Sequence, residues 1–164
     1  MDKKLLVIGD NLIVDLPSND YYDTICLGNK SLSEIATLPY PIYGKSYAFI
    51  LLLVGSSGVM QDPPEFSSSF KQSLRLFVHR IFTRCPFVSV VVSDIPCNLF
   101  SQTHKKWCRP YVDEFNEFIL TLPADESFAG NFVIPIRLMS NVAKGSQSNV
   151  EAASLHLQIV SRFF

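Results

Sequence analysis

The stretch Tyr47-Ala48-Phe49-Ile50-Leu51-Leu52-Leu53-Val54 constrains the fold more than any other part of the chain. A strand with one wet face alternates apolar and polar residues, whereas this run is apolar on both faces. That pattern suits a central strand of a parallel sheet covered by helices on either side. Gly55-Ser56-Ser57-Gly58 closes the run with a loop signal at its carboxyl end. A second buried strand is read in Leu5-Leu6-Val7-Ile8, which breaks into a tight turn at Gly9-Asp10-Asn11. Open α/β sheets keep their chemistry at the carboxyl ends of their strands, so these two turns mark the candidate site.

The remaining signals alternate. Between Asn11 and the turn Pro17-Ser18-Asn19-Asp20 there is room for only one or two helical turns, so the first crossover is short or degenerate. Asp23 to Gly28 reads as a strand closed by glycine. Ser31-Leu32-Ser33-Glu34 is a capping box opening a short helix that Pro39 and Pro41 end. After the Pro63-Pro64 loop, Phe66 to Arg84 carries Phe70, Leu74, Phe77, Val78 and Ile81 on one helical face. Its cations Lys71, Arg75, Arg80 and Arg84 have no intervening acid, and Arg80 and Arg84 suit the negative carboxyl end of the helix. Phe87 to Ser93 is a fourth strand, ending at Asp94. Pro110 suits the first position of the next helix, with Tyr111, Phe115, Phe118, Ile119 and Leu122 as its stripe, which leaves Ile95 to Arg109 as a long loop. Asn131 to Arg137 is the fifth strand. A second capping box, Ser148-Asn149-Val150-Glu151, opens a last helix with Val150, Ala153, Leu157 and Val160 for the core. Leu155, Ile159, Phe163 and Phe164 are then left over, an expected contact with another protein or a second copy.

Strands alternating with helices predict one α/β domain over residues 1–164. The expected architecture is a three-layer α/β/α sandwich with a five-stranded parallel sheet in flavodoxin-like order. A net charge of −1 argues against a surface built wholly for nucleic acid. Cys26, Cys85, Cys97 and Cys108 contain no CxxC pair and read as buried reduced thiols, so an intracellular, cytoplasmic setting is expected, with nuclear or granule association open. The amino terminus lacks the pattern of a signal peptide, and no apolar run is long enough to span a bilayer, so no membrane insertion is expected. His104 and Cys108 are spaced as half a zinc site without a second pair, and no Walker loop or GxGxxG occurs. Neither a metal nor a cofactor is expected.

In order and spacing these blocks resemble the SGNH (GDSL-type) hydrolases. The family's first block, Gly-Asp-Ser, falls on Gly9-Asp10-Asn11, the glycine of its second on Gly28, and its third, Gly-Thr-Asn-Asp, on Gly55-Ser56-Ser57-Gly58. Its last, Asp-x-x-His, falls on Lys144-Gly145-Ser146-Gln147. The resemblance implies that Asn11 replaces the nucleophile, Lys144 the orienting carboxylate, Gln147 the base and Ser57 an oxyanion donor, with the Gly28 amide retained. The expectation is therefore a catalytically inactive domain, not an enzyme, that serves as a protein-interaction module in an assembly with RNA-linked biology. The RNA-binding domain of the germ-plasm organiser Oskar is similar in lacking the family's catalytic residues. Two other readings stand beside it. Lys30, Lys105, Lys106, Trp107, Arg109 and Lys144, with His104, could form a cationic rim for RNA or phosphate, against the plainer reading of solvated lysines balanced by Asp10, Asp62 and Asp94. Alternatively, an active esterase has its nucleophile moved to Ser56 or Ser57. His156, inside the last helix, is the remaining candidate for a base and reads more simply as a polar-face histidine.

Overall fold

The computed structural model describes residues 3–38, 47–59, 67–95, 102–142 and 151–164. Its strands are β1 (Leu5–Gly9), β2 (Tyr22–Cys26), β3 (Phe49–Leu53), β4 (Ser89–Ser93) and β5 (Phe132–Ile136). All pair in parallel in the order β2-β1-β3-β4-β5. The helices are α1 (Leu32–Thr37), α2 (Ser56–Val59), α3 (Ser67–Arg84), α4 (Gln102–Ile119) and α5 (Ala152–Phe163). The expected α/β class, five-stranded parallel sheet and strand order are all present.

Register explains why β3 is apolar throughout. Leu6, Ile50, Val90 and Val133 lie side by side, as do Ile8, Leu52 and Val92, and they pack against α1, α3 and α4. Their alternates Leu5, Val7, Leu51, Leu53 and Val91 face α5 through Leu155 and Ile159. The first crossover is as short as expected, a 3₁₀ turn over Asn11–Ile13. The capping box of α1 forms as expected, with Ser31 Oγ accepting from the Glu34 amide and Glu34 accepting from the Ser31 amide, both at 3.2 Å.

Several expectations are corrected. The fourth helix does not begin at Pro110: α4 starts at Gln102 and runs through the proline. The preceding residues, Gln102 to Arg109, are helix-compatible types, and one interior proline costs a hydrogen bond without ending the helix. On α5 most residues of the two apolar stripes exchange roles, although Val160, expected in the core, is half-buried and packs against it. Leu155 and Ile159, expected at an interface, are fully buried, while Leu157, expected in the core, is 66% exposed and Ala153 is exposed. Phe163 is half-buried, its ring 5.7 Å from that of Phe49, and Phe164 is exposed. Cys26, expected buried, is exposed at the end of edge strand β2, whereas Cys85 is half-buried, which pushes its thiol pKa up. The cations of α3 are engaged within the chain. Lys71 pairs with Glu114 and Arg75 with Asp125, both at 2.9 Å, and the Arg80 guanidinium donates to the carbonyls of Ala36 and Leu38 at the end of α1. The second capping box, apart from Glu151, and the Pro39, Pro41 and Pro63-Pro64 signals lie outside the described residues.

β5 is the other edge strand. The carbonyl of Ile136 accepts from the Asp94 amide at 3.0 Å, so its neighbour Pro135 turns its nitrogen away from the sheet, on the side where no partner strand needs a donor. Phe132 and Ile134 on this strand are 71% and 41% exposed.

Among the described residues no helix is long and apolar enough to cross a membrane.

Candidate active site

The candidate site is built from three turns at the carboxyl ends of adjacent strands, β2, β1 and β3. Asp10 follows β1 and is fully buried. One carboxylate oxygen, Oδ1, accepts from the Leu12 amide at 3.1 Å, which caps the 3₁₀ turn. The other, Oδ2, accepts from the Ser56 hydroxyl at 2.5 Å and from the Ser57 amide at 3.1 Å. Ser57 Oγ reaches across to the Gly28 carbonyl at 3.4 Å, so the turns after all three strands meet at Asp10 and Ser57. Asp10 therefore does not balance surface lysines. Burial pushes its carboxyl above the ordinary value of 3.8, and hydrogen bonds from the Ser56 hydroxyl, the Leu12 and Ser57 amides and the Ser57 hydroxyl offset part of the rise.

Two glycines shape these turns. Gly28 has φ +67°, with open space where a side chain would stand. Gly55 has φ +107°, and a Cβ there would come within 2.8 Å of the Phe115 ring and 2.9 Å of Ile95. Both the backbone conformation and the packing under α4 require glycine at this position. The Tyr111 hydroxyl donates to the Gly55 carbonyl at 3.1 Å and ties α4 to the same turn.

Of the positions expected from sequence, Asn11 is exposed at the start of the 3₁₀ turn, and Gly28 and Ser57 converge beside it. Lys144 and Gln147 lie outside the described residues, as do the side chains of His104, Lys105, Lys106 and Trp107. Lys30 is exposed at the end of the second turn, while Arg109 is exposed and 3.8 Å from Asp113, a neighbour one helical turn on. His156 does not reach the site. Its Nδ1 lies 2.6 Å from the Tyr22 hydroxyl, at the opposite end of the sheet from Asn11 and Ser57. His79 is exposed on α3. No group of three potential metal ligands occurs among the described residues.

Sequence reading missed the Asp10–Ser56 contact. Its signal was present: two glycine-led turns, Gly9-Asp10 and Gly55-Ser56, end strands that the predicted order makes neighbours. A second concavity, about 530 Å³, opens further along the same edge between α4 and β5. It is lined by Asp94, Asp113, Asn116, Glu117, Arg137 and Ser140 among others, and it is separate from the Asp10 cluster.

A doubly wound parallel sheet with its polar cluster at the β1/β3 divergence defines the class of protein. Comparison with solved structures then specifies the fold. The chain superposes on a carbohydrate esterase of family 3 from Talaromyces cellulolyticus with a TM-score of 0.64 and 12% identity, covering 99% of this chain and 96% of the esterase. It superposes on an acetyl esterase variant solved with an acetate ion with a TM-score of 0.62 and 11% identity, covering 96% and 92%. A salicylyl-acyltransferase from a tetracycline biosynthetic pathway is matched with a TM-score of 0.55 and 12% identity, over 99% of this chain and 54% of the acyltransferase. The chain has the fold of the SGNH/GDSL-type esterases. No protein-family model matches the sequence, and no curated protein does.

These neighbours correct the expectation that the chain is not an enzyme. They are esterases and an acyltransferase by name. Asp10, Ser56 and Ser57 are gathered on the same edge.

Proposed function

We propose that the chain is an acyl-ester hydrolase or acyltransferase whose attacking hydroxyl is Ser57. The observation that carries this reading is the buried Asp10 carboxylate, which draws Ser56 and Ser57 together opposite Gly28. Ser56 spends its hydroxyl on Asp10 at 2.5 Å and orients the carboxylate. The Ser57 hydroxyl makes a long contact to the Gly28 carbonyl, at 3.4 Å, and a weaker interaction with Asp10 than Ser56 does, and is the one freer to attack. In the acylation step the Ser57 oxygen bonds to the ester carbonyl carbon while its proton passes to Asp10. The carbonyl–alkoxy bond then breaks, and the departing alcohol takes the proton back. Water, or an acceptor alcohol, repeats the sequence to release the acyl group. The Gly28 amide and the exposed Asn11 amide are the donors available to the oxyanion. Desolvation makes Asp10 a stronger base than a surface carboxylate.

The test is hydrolysis of short-chain p-nitrophenyl esters, together with fluorophosphonate labelling read by peptide mass spectrometry. Turnover lost in Ser57→Ala, with the label on Ser57, supports the reading. A native protein that neither turns over ester nor takes the label, or a label on Ser56, overturns it. The pH dependence follows from the raised Asp10 value. Activity rises as Asp10 ionises, with its acid limb above the usual carboxylate range, while the stability contributed by this group is full below the ordinary value of 3.8 and falls as pH rises through the raised folded value.

A further inference from the structure

The concavity of about 530 Å³ between α4 and β5 lies apart from the Asp10 cluster, and its size falls within the roughly 300–1,000 Å³ of small-molecule sites. Opposite charges meet at its strand ends. Ser93 of β4 pairs with Ile136 of β5, so Asp94 and Arg137 stand at the next register position. Asp94 is only 9% exposed and is held in place: its amide donates to the Ile136 carbonyl at 3.0 Å, and its Oδ1 accepts from the Ser93 hydroxyl at 3.2 Å and the Ser140 amide at 3.3 Å. Its Oδ2 has no donor among the described residues. A buried carboxylate oxygen in that condition is costly until something entering the cavity donates to it.

Two further charges on the lining are free. Asp113 is engaged by Arg109 at 3.8 Å on the same helix, but Glu117 and Arg137 are exposed and have no ion-pair partner among the described residues. Ile119, Leu120 and Pro135 add apolar surface. Asn116 bonds both the amide and the carbonyl of Ile95, at 2.8 and 3.0 Å, so the α4 wall is fixed against the end of β4 before anything binds. We infer that this cavity binds a free basic amino acid of the lysine or arginine type. Arg137 meets its carboxylate, the group a guanidinium matches in shape, and the α-ammonium donates to Asp94 Oδ2. The side-chain cation reaches Glu117, and the aliphatic stem lies on the apolar lining. Each of the three unpartnered groups thereby gains a partner from one molecule. A simple amine would leave Arg137 unmet, and a metal ion finds no set of three ligands among the described residues.

Isothermal titration calorimetry of the purified chain with L-lysine and L-arginine tests this, beside norleucine, which lacks the side-chain cation, and agmatine, which lacks the carboxylate. The expected result is a single site with a dissociation constant on the order of a millimolar or tighter, and binding about tenfold or more weaker for either control. Glu117→Gln brings lysine down to the level of norleucine, and Arg137→Gln brings arginine down to the level of agmatine. Both residues are exposed, so neither substitution disturbs the fold. Absence of lysine and arginine binding overturns the inference. So does norleucine or agmatine binding as tightly as its parent, or a preference for the parent that survives the matching substitution.

Discussion

The two faces of the sheet are built unequally. One is covered by α1, α3 and α4, with Phe70, Phe77 and Phe115 all fully buried and the Phe70 ring within 6.0 Å of those of Tyr111, Phe115 and Phe118. The other relies on α5, helped by Leu138, Met139 and Val142 near the carboxyl edge, and leaves Phe132 and Ile134 in solvent. The closed face sets the shape of the molecule and holds Gly55 beneath α4, where the candidate site needs it. The thin face is where surface remains for other contacts.

Graded substitutions can break or sharpen that contrast. Phe77→Ala on the closed face should cost about 4 kcal/mol in urea unfolding, from lost burial plus an unfilled cavity. Leu155→Ala on the thin face should cost about 3 kcal/mol, since a residue under a single helix leaves surroundings freer to collapse. Equal losses would mean that the faces differ in layout but not in energy. Asn116 bonds both the amide and the carbonyl of Ile95, at 2.8 and 3.0 Å, and clamps α4 to the end of β4. Asn116→Ala should cost about 2 kcal/mol by thermal melting and lower ester turnover, because the turn at Gly55 loses its cover. The smallest effect belongs to the thin face's own clasp. Tyr22→Phe removes the hydroxyl that meets His156 and should cost about 1 kcal/mol, read most directly as faster amide exchange along α5.

The strands were legible because register requires a buried parallel strand to be apolar on both faces, and Leu5–Ile8 and Phe49–Leu53 could satisfy no other arrangement. The capping box at Ser31 was equally local. The phase of α5 was not: Ala153-Leu157-Val160 and Leu155-Ile159 are both apolar stripes, and only the sheet decides which of them is buried. Pro110 misled in the same way, since its suitability for a helix start says nothing of the eight helix-compatible residues before it. At the site, the turns after β1, β2 and β3 were located, but the part played by Asp10 was hidden. An aspartate in a sequence carries no sign of burial, and its two serine contacts lie 46 and 47 residues away.

Pro135 has a consequence for how the chain can polymerise. Phe-Val-Ile-Pro-Ile, lying at the rim of a sheet with apolar side chains in water, is the kind of segment that templates the stacking of further chains into cross-β fibres. A ring nitrogen on the open rim interrupts the row of donors that an incoming strand would need. Sideways growth through the backbone therefore stops at β5.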